Sequence, residues 1–178
     1  MKFTNGYWLL KEGVSTYPCV DVRDVQITPT CITLYAAPAK VVSRGQTLDG
    51  PLLTLTFTSP QEGILQTAMT HYWDGSPGPD FPINDQKQTL TTQETEDELK
   101  IITGKLEAVI SKDNFQIKYF WDGRFLTASK PKQLAYMMTP DGAFCRERLQ
   151  TSVDEQYYGF GERFTPFVKN GQTVDIWN

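Results

Sequence analysis

The stretch that decides the fold is Phe115–Leu126, which reads F-Q-I-K-Y-F-W-D-G-R-F-L. Asp122 and Gly123 separate two runs of apolar and aromatic residues, and glycine tolerates the positive φ angle that a two-residue hairpin turn requires. The stretch therefore predicts two antiparallel strands joined by a tight turn.

Similar runs of β-branched and aromatic residues, separated by Pro and Gly, occur before and after this hairpin. The predicted strands are Val20–Ile27, Cys31–Ala36, Leu52–Phe57, Ile64–Thr70, Leu99–Thr103, Leu106–Ser111, Phe115–Trp121 and Ala143–Leu149. A slip in the alternation at Arg23–Asp24 predicts a β-bulge. Several of these runs recur at roughly the 8–12-residue spacing that is typical of sandwiches and barrels.

The connections also favour an all-β chain. Ser59–Gly63 is predicted to close one hairpin, Asp141-Gly142 to precede another strand, and Asn170-Gly171 to form a tight turn. The terminal alternation Thr173–Asn178 is interpreted as a strand that has just begun, and no run has the apolar periodicity of a convincing helix. We predict an antiparallel β-sandwich formed by one domain, residues 1–178.

Composition excludes several classes of function. The 178 residues include 17 basic and 21 acidic side chains, giving a net charge of −4, which lacks the positive footprint of a nucleic-acid-binding protein. No apolar run approaches the ~20 residues of a membrane span. The first residues are too polar for a signal peptide, so a cytoplasmic location is expected.

Cysteine and histidine are scarce. Cys19, Cys31 and Cys145 are isolated from one another in the sequence, and His71 is the single histidine. A zinc site needs three or four ligands, and Ser–His or Cys–His catalysis would depend on His71 alone. We therefore expect reduced, buried thiols, a histidine that serves in packing, and neither metal nor other cofactor.

The C-terminal part carries the most specific motif. Tyr158-Gly159-Phe160-Gly161-Glu162-Arg163-Phe164 resembles the Tyr-Gly-x-Gly-Glu motif of glycoside hydrolase family 31, and especially of the bacterial α-xylosidases. The likeness continues through Phe167–Val174. Two upstream blocks are also similar to those enzymes, Asn5–Leu10 and Leu48–Leu52 with Ser59–Ile64.

The resemblance implies an N-terminal β-sandwich of the galactose-mutarotase-like supersandwich type, incomplete in this chain. In that family a (β/α)₈ barrel follows and carries two catalytic aspartates, which act by a retaining mechanism. This chain has no βα repeat, so we expect those aspartates to lie beyond Asn178 and the fragment alone to be inactive. The implied partners are the barrel of the same parent chain, the oligosaccharide substrate and a second copy in a homo-oligomer; neither nucleic acid nor a membrane is implied.

The same resemblance supplies the candidate site residues. Phe164, Thr165 and Asn178 are candidates for substrate contact, because this region approaches the barrel mouth in the family. Tyr158, Gly159, Gly161, Glu162 and Arg163 are assigned to the motif as structural residues. After two glycines, Glu162 is expected to accept backbone N–H groups and fix the turn, and Arg163 is expected to pair with a carboxylate of the barrel.

Two other functions remain open at this point. The first is a free-standing carbohydrate-binding module, for which Trp73, Phe81, Trp121 and Trp177 are the aromatic candidates. The second is a mutarotase-like epimerase, which the fold relationship permits but the single histidine disfavours.

Overall fold

The computed structural model describes residues 3–5, 9–48, 50–71 and 87–176. The chain forms two compact units. Gly13–Gln150 contains every strand of the described residues, and the second unit consists of Met1–Glu12 and Thr151–Asn178.

Twelve strands and one short 3₁₀ helix, Arg44–Leu48, make up the regular structure of the described residues. In chain order the strands are β1 Ser15–Pro18, β2 Asp21–Ile27, β3 Cys31–Ala37, β4 Leu53–Gln61, β5 Ile64–Thr70, β6 Thr91–Glu94, β7 Glu98–Thr103, β8 Leu106–Ser111, β9 Gln116–Trp121, β10 Arg124–Ser129, β11 Ala135–Thr139 and β12 Gly142–Arg146.

The strands form three antiparallel sheets. One has the order β2-β3-β4-β5, the second β10-β9-β8-β7-β6, and the third is the three-stranded sheet β1-β11-β12. The first two sheets are built largely from sequential hairpins, which explains why the predicted turn signals fall between neighbouring strands.

The core lies between the four-stranded and five-stranded sheets. In β4 the odd-numbered positions Leu53, Leu55 and Phe57 are fully buried, while Thr54 and Thr56 on the opposite face are only half-buried. β7 and β8 alternate in the same way. The buried cluster contains Cys19, Ile32, Leu34, Ala36, Leu53, Leu55, Phe57, Leu90, Leu99, Ile101, Ala108, Ile110, Phe115, Ile117 and Leu134. The alternating pattern of the sequence thus produces the β-sandwich that it predicts.

A chain of buried hydroxyls connects the two large sheets. Ser59 Oγ of β4 lies 2.8 Å from Thr103 Oγ1 of β7, and both residues are buried. Ser59 also donates to the carbonyl of Gln61 (2.8 Å), and Thr103 accepts the N–H of Gly63 at 3.3 Å. Because Ser59 has one hydroxyl proton, Thr103 must donate to Ser59.

The hairpin and the bulge are confirmed. Trp121 pairs with Arg124, so Asp122 and Gly123 form the turn, with φ angles of 51° and 76°. Both central residues have positive φ, as a type I′ turn requires. The pairing of β2 with β3 shifts register between Val22 and Asp24, where the alternation slips.

The structure corrects several boundaries. β4 continues through Pro60 to Gln61, so Glu62 and Gly63 alone form the predicted Ser59–Gly63 connection. Thr139 pairs with Gly142, so Pro140-Asp141 occupies the last turn and Gly142 begins β12, which ends at Arg146 rather than Leu149.

The predicted terminal strand does not form in its described part, Thr173–Ile176. A strand is stabilised by a hydrogen-bonded neighbour, and these residues pair with no strand of the described chain.

Candidate functional site

The candidate site is the C-terminal segment, residues 151–176, which contains the family-like motif. Asn170 closes this segment with its side-chain amide: its Oδ1 accepts the N–H of Tyr157 at 2.9 Å and its Nδ2 donates to the carbonyl of Glu155 at 2.8 Å. The N–H of Lys169 donates to the carbonyl of Tyr157 at 2.8 Å. These three bonds tie residues 155–157 to residues 169–170.

The predicted turn at Asn170-Gly171 is present. Gly171 has a φ of 72°, and the N–H of Gln172 donates to the carbonyl of Lys169 at 3.1 Å. The turn places Asn170 beside Tyr157, so the local Asn-Gly signal directly positions the residue that closes the segment.

A carboxylate organises the start of the segment. Glu155 Oε2 accepts the N–H of Ser152 and the hydroxyl of Tyr157, each at 2.9 Å. These hydrogen bonds, first that of Ser152, lower the pKa of Glu155, and the same contact with Glu155 raises the pKa of Tyr157. Glu155 thus serves in local structure.

The motif forms a left-handed bend. Gly159, Phe160 and Gly161 have φ angles of 101°, 66° and 74°. Positive φ is costly for a residue with a Cβ, so the two glycines make the bend possible and Phe160 adopts it between them. The Tyr158 ring packs on Phe167 with ring centroids 4.9 Å apart. Its hydroxyl donates to Gln156 Oε1.

Glu162 and Arg163 behave differently from each other. Glu162 is exposed and the backbone N–H contacts expected of it are not formed within the described residues. Arg163 Nε donates to the carbonyl of Phe160 at 3.2 Å. The bend presents the carbonyl of Phe160 to the side chains that follow. The guanidinium of Arg163 can donate a hydrogen bond to this carbonyl, whereas the carboxylate of Glu162 has no proton to donate.

The candidates for substrate contact fall in different surroundings. Phe164 is fully exposed, whereas Thr165 Oγ1 accepts a hydrogen bond from Lys169 Nζ at 2.7 Å. Asn178 lies outside the described residues. Phe164 and Thr165 are therefore adjacent and both exposed, but the hydroxyl of Thr165 is held by Lys169 whereas the ring of Phe164 is uncovered.

Lys169 is a residue that the sequence reasoning did not single out. It is only 8% exposed, and its Nζ donates to Thr165 Oγ1 and to the carbonyl of Pro166 at 2.8 Å. In the sequence Lys169 only precedes the turn Asn170-Gly171, and this position does not distinguish a buried lysine from a solvated one.

The aromatic side chains of the segment give it its surface character. Those that remain exposed are Tyr157, Tyr158, Phe160, Phe164 and Phe167. A backbone held by several hydrogen bonds therefore carries a cluster of rings that its own residues do not cover. Such a surface is suited to contact with another apolar surface.

The other candidates lie in the strand unit or outside the described residues. Trp121 is exposed, and its ring lies so close to Gly63 that an added Cβ would be 3.2 Å from it. Trp73, Phe81 and Trp177 are outside the described residues. His71 packs against Tyr136, at 5.1 Å between ring centroids.

The thiols differ in their exposure. All three cysteines are free; Cys19 is buried as expected, but Cys145 is exposed. Burial raises the pKa of Cys19 to about 12. Among the described residues no three His, Cys, Asp or Glu side chains cluster as metal ligands would, and no helix there has the length and apolarity to cross a membrane.

Comparison with known proteins identifies the class. Residues 54–178 match the glycosyl hydrolase 31 N-terminal galactose mutarotase-like domain. The chain therefore belongs to this domain family. The predicted family, the β-sandwich fold and the non-catalytic N-terminal domain type are confirmed.

Similar proteins include two α-xylosidases. The chain is 35% identical over 181 residues to α-xylosidase XylQ of Lactiplantibacillus pentosus, covering all of this chain and 24% of that protein. It is 33% identical over 202 residues to an α-xylosidase of Emericella nidulans, covering all of this chain and 26% of that one. The chain thus spans about a quarter of the length of these relatives.

A solved structure shows the same fold. The cycloalternan-forming enzyme of Listeria monocytogenes matches 89% of this chain and 14% of its own, with a TM-score of 0.67 and 18% identity.

Proposed function

We propose that this chain is the N-terminal domain of a longer α-xylosidase that releases terminal α-linked xylose by a retaining mechanism. The observation that carries the proposal is the 35% identity to an α-xylosidase over the whole chain. Retention uses two carboxyl groups about 5–5.5 Å apart, and in this proposal both belong to a barrel encoded after Asn178.

The C-terminal segment would be the contact surface for that barrel. Phe160, Phe164 and Phe167 are exposed on a backbone whose hydrogen bonds already hold it in place. Covering such rings yields roughly 25 cal/mol per Å² of apolar surface, and little conformational entropy is lost because the backbone is ordered beforehand.

The finer assignments are part of the same proposal. Phe164, Thr165 and Asn178 would border the oligosaccharide at the barrel mouth, and Arg163 would pair with a barrel carboxylate. The enzyme would act in the cytoplasm, residues 1–178 would fold as one domain within it, and two copies would associate as a homo-oligomer. The family-like motif at residues 158–164 supports the assignments of Arg163, Phe164 and Thr165.

The coding sequence tests the proposal most directly. A reading frame that continues for several hundred codons after Asn178 is expected, and a stop codon there would refute it. The purified 178-residue chain should leave an aryl α-xyloside intact, while the long protein should hydrolyse it; release of the aryl group by the short chain would contradict the division of labour.

The contact surface is tested by Phe164→Ser in both proteins. Phe164 is fully exposed in the 178-residue chain, so the substitution should leave the melting temperature of that chain unchanged. The melting temperature of the long protein should fall, because the substitution removes a ring that the barrel would bury. Val42→Ser, at another exposed apolar residue, is the matched control. Equal effects of the two substitutions in the long protein would argue against barrel contact at Phe164.

A further inference from the structure

A second candidate site lies in the strand unit, on the face of β1 and β11. It is an open cavity of about 450 Å³, which is within the range of roughly 300–1,000 Å³ that small-molecule sites occupy. Its lining residues are Tyr17, Leu48, Gly50, Pro51, His71, Tyr136 and Met138.

Three aromatic side chains form a continuous row in this cavity. Tyr17 and Tyr136 are directly opposite each other in the β1–β11 pairing, so both point to the same face, with ring centroids 6.4 Å apart. The ring centroid of His71, just after β5, lies 5.1 Å from that of Tyr136. Residues 17, 71 and 136 are far apart in the sequence, and only the sheet pairing brings them together.

The row carries three polar groups, two hydroxyls and an imidazole. The hydroxyls of Tyr17 and Tyr136 have no hydrogen-bond partner among the described residues. His71 Nδ1 lies 3.2 Å from the carbonyl of Leu52, and because a carbonyl only accepts, Nδ1 carries the proton in this bond. In the neutral ring Nε2 is then an acceptor. The row therefore offers two hydroxyls and one ring nitrogen beside aromatic faces.

The other lining residues that the structure describes are apolar or glycine. Leu48 is 89% exposed and Met138 is 50% exposed, so both present apolar surface at the cavity. Gly50 allows Pro38 to pack close to the backbone at residue 50, because an added Cβ would lie 2.5 Å from Pro38 Cγ. The same Cβ would lie 3.6 Å from Tyr17 Cδ1. None of the lining residues that the structure describes is Lys, Arg, Asp or Glu.

We propose that this cavity binds one neutral pyranose unit of an oligosaccharide. A pyranose combines apolar C–H faces with a rim of hydroxyls, which matches aromatic rings flanked by donors and acceptors. The described lining residues include no lysine or arginine that would attract an anionic ligand, and the two tyrosine hydroxyls disfavour a wholly apolar ligand. This site goes beyond the proposed function, because its residues are separate in sequence from the C-terminal segment and it requires no barrel.

The methionines allow a local test by NMR. The chain has four, of which Met137 and Met138 are adjacent in β11; Met137 is fully buried and Met138 lines the cavity. The ¹³C-methyl-labelled 178-residue chain is titrated with maltotriose and with the disaccharide α-xylosyl-(1→6)-glucose. The Met138 methyl signal should shift in a saturable way in the millimolar range, while that of Met137 should stay in place.

Variants locate the binding. Tyr136→Ala should weaken binding by about tenfold, because it removes the central ring. Tyr17→Phe keeps the ring and the fold and should weaken binding several-fold through loss of one hydroxyl. Phe125→Ala, at an exposed ring of β10, is the matched control and should bind as the unmodified chain does.

Three results would overturn the proposal. The first is that neither saccharide shifts the Met138 signal in a saturable way. The second is that the Tyr17→Phe variant and the Tyr136→Ala variant each bind the saccharides as tightly as the unmodified chain does. The third is that a proline-rich peptide shifts the Met138 signal and the saccharides do not. Each is independent of the reading frame after Asn178 and of xyloside hydrolysis, so failure here is distinguishable from failure of the proposed function.

Discussion

The hydroxyl chain between the two large sheets gives the sharpest test of the fold. Thr103→Val keeps the shape of the side chain and removes its oxygen. Gly63 then loses the acceptor of its N–H, and Ser59 loses a donor, although its own bond to Gln61 remains. The perturbation therefore removes two hydrogen bonds in a buried place.

The magnitude follows from these two bonds. A typical hydrogen bond contributes a net ~0.5–1.5 kcal/mol to stability, and a buried donor left without an acceptor costs roughly 1–3 kcal/mol. The added methyl group of valine recovers up to about 0.8 kcal/mol by apolar burial. We expect Thr103→Val to lower the free energy of unfolding by about 1–2 kcal/mol, because the stranded Gly63 N–H is only partly buried.

Urea unfolding at constant m-value is the assay, since a change in midpoint then reports stability alone. Thr56→Val, at a half-buried threonine on the opposite face of β4, is the matched control and should change stability by less than about 0.5 kcal/mol. In the double-mutant cycle with Ser59→Ala, the coupling energy should exceed about 0.5 kcal/mol. Equal effects of Thr103→Val and Thr56→Val, or a coupling energy of zero, would refute the reasoning.

Two further predictions concern the buried cation of Lys169 and the partly buried phenol of Tyr119. Lys169→Met keeps the apolar stem but removes the donors to Thr165 and Pro166, so amide hydrogen exchange in residues 165–172 should accelerate by about tenfold. Lys130→Met, at an exposed lysine, is the control. Equal exchange rates in the two variants would contradict a structural role for Lys169. Burial, followed by the charge of Glu147, raises the pKa of Tyr119 from 10.0 to about 12. The unfolded state therefore loses this proton first, so the contribution of Tyr119 to stability should be constant below pH 10 and fall as the pH rises toward 12. Cys19, whose pKa burial also raises to about 12, acts in the same direction. Tyr119→Phe should make the decline in the urea midpoint shallower, and an unchanged decline would show that this phenol does not contribute.

Local pattern was sufficient where each strand carries its own signal. Ile64–Thr70 and Leu106–Ser111 form with the predicted bounds, because turn residues flank both runs, and in the second the apolar residues Leu106, Ala108 and Ile110 fit a two-residue repeat. Asp122-Gly123 specified its hairpin through backbone conformation alone. The slip at Arg23–Asp24 indicated the bulge for the same reason, since one extra residue reverses the alternation.

Pattern failed where a strand owes its existence to its neighbour. β6, Thr91–Glu94, is wholly polar because it is the edge of its sheet, and β1 ends in a proline. Pro60 suggested a turn, yet β4 continues through it with a shift in register. Such segments become strands only when a partner supplies the hydrogen bonds.

The sequence by itself therefore determined the β class, the family-like motif and most of the hairpins, because these depend on residues close together in the chain. The tertiary structure alone decided that Lys169 is buried, that Phe164 is exposed while Thr165 is held, and that Tyr17, His71 and Tyr136 share one cavity. Burial and the meeting of distant side chains result from strand pairing and packing, which local spacing does not encode.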